Sequence, residues 1–226
     1  MTECTEPQTV PLRLISPSLY DSHPPPLHPY TRSSSAYSAV IQLYARSGQL
    51  PTNLSIASRF HDRVPLCRFG CTALEDTHHL FVHCRQFQDL RNEYSISLAS
   101  DIETILTNTS LPVPISSHIT NVGSNLFRDD ESWPLHSSHF YLGVLPPLLP
   151  PSTPRRSLTT ESQRILTRLA NSCHLSAIRL TARIWGAVLR HHISMTSQRK
   201  PKRSLEEVLQ ASNLRLPSHL NHILHT

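Results

Sequence analysis

Charge, aromatic residues and glycine are all scarce in this chain of 226 residues. Only 16% of it is charged and 6% aromatic, and there are 5 glycines. A globular chain carries about 25% charged residues, and a fully solvated disordered one needs a high net charge per residue, so the latter is excluded. Five scattered glycines leave no Gly-rich phosphate loop and no Gly-x-Ser-x-Gly elbow for a hydrolase serine. Long apolar runs are missing as well. The most apolar window, Phe140 to Leu149, is ten residues long and contains Pro146 and Pro147, so no membrane-spanning helix is expected. The first residues, Met1-Thr-Glu-Cys-Thr-Glu-Pro7, have no basic stretch leading into an apolar one, so no secretory signal is expected. The chain is therefore expected inside the cell, cytoplasmic or nuclear and not secreted. Its five cysteines then serve as thiols or metal ligands instead of disulfides.

What the chain has in excess is proline, 19 residues, within a modest apolar content of 38%. No strand-like alternation of any length occurs, and the expected fold is mainly α: a small metal-stabilised helical domain and a basic helical segment, joined by irregular proline-rich stretches. Residues 1–33, with seven prolines, read as an irregular leader. Residues 34–106 read as a helical hairpin followed by the metal-binding domain. Its first helix, Ser35 to Ser47, places Tyr37, Val40, Ile41 and Tyr44 at i, i+3, i+4 and i+7, the spacing of an inward face, and Gly48 stops it. A short helix opens at Pro51-Thr52, and a third spans about Thr77 to Leu98, with Leu80, Cys84, Phe87, Leu90 and Tyr94 inward. Residues 107–157 read as a proline-rich linker with one packed turn around Trp133 and Phe140-Tyr141. Residues 158–226 read as a basic helical tail: a long helix from Glu161 to Ile193, with Thr160 and Gln163 as a capping box, then a short one from Leu205 to about Ala211.

One cluster carries chemistry. Cys67, Cys71, His79 and Cys84 follow the spacing C-x3-C-x7-H-x4-C. Zinc takes four soft or borderline ligands in a tetrahedron. A tight turn eased by Gly70 presents the two cysteines, and the start of the next helix presents His79 and Cys84. His78 and His83 lie in the same window, and His79 with His83 at i and i+4 leaves a two-cysteine, two-histidine set open. Cys84 is preferred, because thiolate binds zinc strongly. Cys4 and Cys173 are expected to be free.

At this point a resemblance appears. The stretch Ser38 to Ala99 is similar to the region C-terminal to the polymerase and RNase H domains of non-LTR retrotransposon proteins, above all the fungal reverse transcriptase-like ones. The matching residues are Gln42-Leu43-Tyr44-Ala45-Arg46-Ser47-Gly48, Cys67-Arg-Phe-Gly-Cys71, Glu75-Asp76-Thr77-His78-His79-Leu80-Phe81-Val82-His83-Cys84 and Phe87-Gln88-Asp89-Leu90-Arg91. Arg68 and Arg85 stand where that family often has proline. Tyr141 to Pro146 and Arg183-Ile184-Trp185-Gly186 look similar to the tails of such proteins. The resemblance implies a zinc knuckle that grips RNA or DNA for an enzyme carried elsewhere, with a reverse transcriptase or other retroelement protein as partner. The catalytic parts themselves are missing. Asp129-Asp130-Glu131 is the only acidic run, and three consecutive carboxylates diverge where a two-metal site needs them to converge.

Charge is uneven. Residues 1–154 hold 9 Lys/Arg against 13 Asp/Glu, a net of −4, while residues 155–226 hold 12 against 3, a net of +9. On a helical wheel Arg164, Arg168, Arg179, Arg183 and Arg190 share one sector of about 100°, beside an apolar face of Leu166, Leu169, Cys173, Ile178, Leu180, Ile184 and Trp185. Such a stripe suits phosphate contacts. Near the knuckle, Arg68, Arg85 and Arg91 are expected to face phosphate too. The competing expectation is a protein-interaction module in which the metal only shapes a helical docking surface.

Overall fold

The structure is a computed structural model that describes residues 31, 33–60, 62–109, 111–130, 133, 139–154 and 158–199, with only the backbone over 195–199. The expected leader over 1–33, apart from Thr31 and Ser33, and the expected helix from Leu205 lie outside them. The described chain is mainly helical and has no strands, as the missing alternation predicts. Its described residues up to Trp185 belong to one compact unit, and those from Gly186 on to a second. No helix among the described residues is long and apolar enough to cross a membrane.

Helix α1, Ala36–Arg46, begins where the Ser35 hydroxyl accepts the Ser38 N–H at 3.3 Å, and it ends before Gly48, at φ +65°. Its inward face differs from the expected one. Tyr37, Val40 and Tyr44 are 48%, 42% and 43% exposed, and the buried residues are Ser38, Ile41, Gln42, Ala45 and Arg46. Part of this follows from the partner: α1 packs on the 3₁₀ turn Phe140–Leu142, whose last carbonyl takes a side-chain donor. Arg46 Nη1 donates to the Leu142 carbonyl at 2.7 Å. At Gly143, φ +74°, a Cβ would stand 3.1 Å from Gln42 Oε1. The Arg46 bond accounts for one polar residue on the inward face; Gln42 is buried with both amide atoms lacking a hydrogen-bond partner, and the structure gives no polar reason for its burial.

Helix α2, Asn53–Ala57, is a single turn capped by Thr52. The expected third helix is interrupted. A π-turn, His79–His83, ends at Cys84, whose ψ of 121° is extended; a 3₁₀ turn, Arg85–Phe87, follows, and α3 runs over Gln88–Thr107. The largest departure is in residues 107–157. Helix α4, Val113–Asn125, stands where prolines were expected to break regular structure, and it packs on α3. Pro112 and Pro114 lie at its N-terminus, where the backbone N–H groups have no intrahelical partner and proline costs nothing. Ile115, Ile119, Val122 and Leu126 are buried along one side. The expected packed turn around Trp133 and Phe140-Tyr141 is present, with all three residues buried.

Helix α5, Thr160–Arg199, begins one residue before the expected start: Thr159, not Thr160, accepts the Ser162 N–H, at 3.1 Å, and Gln163 Nε2 reaches back to the Leu158 carbonyl at 3.3 Å. Leu169, Cys173, Ile178, Leu180, Ile184 and Trp185 are buried, as the wheel predicts, while Leu166 of the same face is half-buried and its neighbour Ile165 is buried instead.

The α3–α4 contact depends on Gly123. A Cβ there would collide with Ile102 Cδ1, and Ile102 is itself buried. Gly123→Leu is expected to cost about 1–3 kcal/mol through overpacking, read as a lower denaturant midpoint with an unchanged slope. An unchanged midpoint would mean the helices do not approach this closely.

Candidate metal centre

A minimal hairpin presents the first two cysteines. Leu66 and Leu74 form an isolated antiparallel bridge, flanked by the Cys67 N–H to the Ala73 carbonyl at 3.0 Å and the Glu75 N–H to the Pro65 carbonyl at 2.8 Å. Gly70 turns the loop between them at φ +84°, a conformation other residues reach only with strain. The other two ligands come from the π-turn. Asp76 caps it, its carboxylate accepting the His79 N–H at 2.6 Å. The Cys84 N–H then closes an i→i+5 bond to the His79 carbonyl, also at 2.6 Å. In an α-helix residues five apart point about 140° away from each other. The wider π-turn brings them back toward one side, and so the x4 spacing becomes a chelating pair. Local π geometry of this kind is frequent at functional sites.

The donor atoms of Cys67, Cys71, His79 and Cys84 all lie within 4.8 Å of one another. Cys84 Sγ stands 3.8 Å from Cys67 Sγ and 3.9 Å from Cys71 Sγ. Two sulfurs bound at about 2.3 Å in a tetrahedron sit roughly 3.8 Å apart, so the spacing fits a shared ion. His79 Nε2 is buried and has no hydrogen-bond partner within the protein, as befits a ligand atom.

Backbone donors surround the sulfurs. The Phe69 and Cys71 N–H groups point at Cys67, the Arg85 N–H at Cys71 and the Gln86 N–H at Cys84. Burial nonetheless dominates: it raises the Cys67 thiol and pushes Cys84 up to about 12. Cys71 is the exception. Burial is again the largest single influence and raises it, but the Arg85 N–H, the neighbouring thiols and the Arg85 charge together outweigh it and lower the thiol. Burial first of all also lowers His79, which keeps the imidazole neutral and able to ligate. The four residues can therefore hold one metal ion, with all four positions supplied by protein.

Placement favours Cys84 in the set. Cys84 is buried among the other ligand atoms, while His78 and His83 turn to Asp129. Cys173 is a free, isolated thiol, pushed up by burial to about 12.

The arginines near the centre divide. Arg85 is exposed. Arg91 is buried, donating to the Cys84 carbonyl at 3.0 Å, the Phe81 carbonyl at 3.4 Å and Gln88 Oε1 at 2.8 Å. It holds the end of the π-turn, and its expected phosphate contact does not fit that burial. Arg68 is nearly enclosed against Glu75, with Nε 3.0 and 2.8 Å from the two carboxylate oxygens; its charge is neutralised there and is not offered to phosphate. Glu75 is the residue sequence reasoning missed. Fully buried, it also accepts the Asn53 N–H and the Arg68 N–H, each at 2.8 Å, and so ties α2 to the cysteine loop. Nothing in an acidic residue beside another marks it as the buried one.

On α5, Arg164, Arg168, Arg179 and Arg183 are exposed, and in the second unit Arg190 is exposed as well. Arg164 stands 3.6 Å from Glu161, and both are open to solvent. Compared with family models, with curated proteins and with solved structures, the chain matches none.

Proposed function

We propose that Cys67, Cys71, His79 and Cys84 hold one structural zinc ion, and that the chain is a non-catalytic, nucleic-acid-binding portion of a reverse transcriptase-like retroelement protein, working inside the cell. The observation that carries the metal reading is the closed, buried set of three thiols and one neutral imidazole. Thiolates select zinc over the hard cations, and a site with no open position is structural where a catalytic one keeps a place for water. The nucleic-acid reading is supported by the exposed arginines of α5, a helix whose described range has Glu161 as its sole acid. Phosphate contacts of this kind carry affinity without base information.

Replacing Arg168, Arg179 and Arg183 together by Gln is expected to weaken binding to several unrelated single-stranded RNAs alike. The slope of log affinity against log salt should flatten by about 0.7 for each arginine lost. Unchanged affinity and slope, with helicity intact by circular dichroism, would return the stripe to an ordinary solvated face.

One observation favours a second reading, a protein-interaction module. Tyr37, Val40, Leu43 and Tyr44 leave an apolar side of α1 in water. Absence of any salt-dependent RNA affinity in the zinc-loaded protein would favour that reading.

A further inference from the structure

The π-turn serves a second group beside the cysteines. His78 and His83, again five residues apart, converge on one carboxylate. His78 Nε2 lies 3.4 Å and His83 Nε2 3.3 Å from the same oxygen, Asp129 Oδ2. The three donor atoms fall within 4.8 Å of one another. From this geometry we propose a second metal site, formed by His78, His83 and Asp129, open to solvent and selective for a borderline divalent ion such as zinc.

The distances favour a shared ion over direct ion pairs. A charge-assisted N–H···O bond closes to about 2.7–2.9 Å. Donors of nitrogen and oxygen type, each about 2.0–2.1 Å from a tetrahedral metal, sit roughly 3.3 Å apart instead. Both observed separations match the second figure. The two imidazole nitrogens share Oδ2, while His139 Nε2 stands 4.0 Å from the other oxygen, Oδ1.

Supporting contacts hold the ligands in place. His78 Nδ1 is 3.3 Å from the buried Tyr141 hydroxyl, a contact that leaves Nε2 as the ligating nitrogen. Outer hydrogen bonds of this type orient metal-bound histidines. Tyr141 itself stacks on Phe81, within the π-turn, at 5.1 Å. His139 stands beside the cluster but is not a ligand through Nε2, which faces the Arg128 carbonyl at 3.1 Å. The carboxylate comes from the segment after α4, so an ion here would clip the metal-binding turn to that segment across 46 residues of chain. His83 and Asp129 are about half exposed, with side chains 51% and 43% accessible, which leaves coordination positions for water and makes the ion exchangeable.

The test is a cobalt(II) titration of the full chain. The wild-type protein should take up two equivalents: one with the intense thiolate-to-cobalt absorption of the Cys67 centre, the other, weaker, with only the faint bands of nitrogen and oxygen ligands. His83→Ala and Asp129→Asn, both at exposed positions that do not threaten folding, should abolish the second uptake and leave the thiolate band untouched. Tyr141→Phe should weaken the second uptake about tenfold. In zinc-loaded protein, cobalt should broaden the ring signals of His78 and His83 in the proton spectrum. Uptake of a single equivalent, or a second one indifferent to Asp129→Asn, overturns the proposal. A missing thiolate band would instead overturn the structural zinc reading, since the second uptake is scored separately on the histidine signals.

Discussion

Cys84→Ser is expected to abolish tight metal binding and to unfold the region from the cysteine loop to the start of α3. Metal binding at a structural zinc site is folding free energy, on the order of 10 kcal/mol. The regular structure around the ligands is slight, one isolated bridge, a five-residue helix and a five-residue π-turn, so the metal carries a large share of what holds the loop to the π-turn. Cys84 is the ligand furthest from solvent, fully buried, with its sulfur 3.8 and 3.9 Å from the other two. Chelation of the wild-type protein should produce the same loss of helicity. His83→Ala, in contrast, should keep this metal, because His83 faces Asp129 and is not one of the four grouped donors. Cobalt loading of both variants checks the contrast through the thiolate band, which the histidine–aspartate group cannot give: a full band kept by Cys84→Ser and lost by His83→Ala would mean the two-histidine alternative holds.

The same site should release protons as it fills. Burial keeps the Cys84 thiol protonated at neutral pH, and the Cys67 thiol is raised as well, so the entering ion must displace their protons. His79, lowered by burial, contributes none. Uptake at neutral pH therefore releases at least the two protons of Cys67 and Cys84, with the Cys71 proton added to the extent that it is still held, and affinity falls as pH falls. Cys71, the thiol held lowest, offers the first thiolate. Calorimetry in two buffers of different ionisation enthalpy counts these protons. Release near zero would remove the thiols from the ligand set.

Much of this was legible in the sequence where a residue's chemistry permits few roles. Four zinc-type ligands at short spacing point to one another whatever the backbone does, and the buried face of α5 follows from a period sustained over many turns. The failures have physical causes. Pro112 and Pro114 were read as breakers, yet proline breaks a helix interior and suits its first turn, and sequence alone does not say which turn it occupies. The apolar side of α1 was placed inward because burial was assumed to follow hydrophobicity. The neighbour, Phe140–Leu142, lies almost a hundred residues on and asks for donors, which only the assembled fold reveals. Arg68 and Arg91 looked available for phosphate because arginine is ordinarily exposed. Each instead serves the metal loop from within, one through Glu75 and the other through backbone carbonyls.

Glu75→Ala is expected to be the most damaging change outside the metal ligands, about 3–5 kcal/mol, because it breaks a buried ion pair by removing one partner. The alanine leaves the Arg68 guanidinium in a position 9% exposed with its counter-charge gone. It also leaves the Asn53 and Arg68 backbone N–H groups without their acceptor. Arg68 sits next to Cys67, so the loss should loosen the cysteine loop and weaken the metal site, seen as faster transfer of zinc to a chelator. Glu75→Gln keeps an acceptor oxygen but not the charge, and should lose less. The double variant Arg68→Met with Glu75→Leu separates the pair from its surroundings: with both charges removed and the volume kept, it should recover much of the stability, since a buried pair is worth little against an apolar replacement. Denaturation at a fixed free zinc concentration measures all three variants on one scale. A cost below about 1 kcal/mol for Glu75→Ala would place that carboxylate in water, where exposed pairs contribute at that level, and the link between α2 and the cysteine loop would have to come from elsewhere.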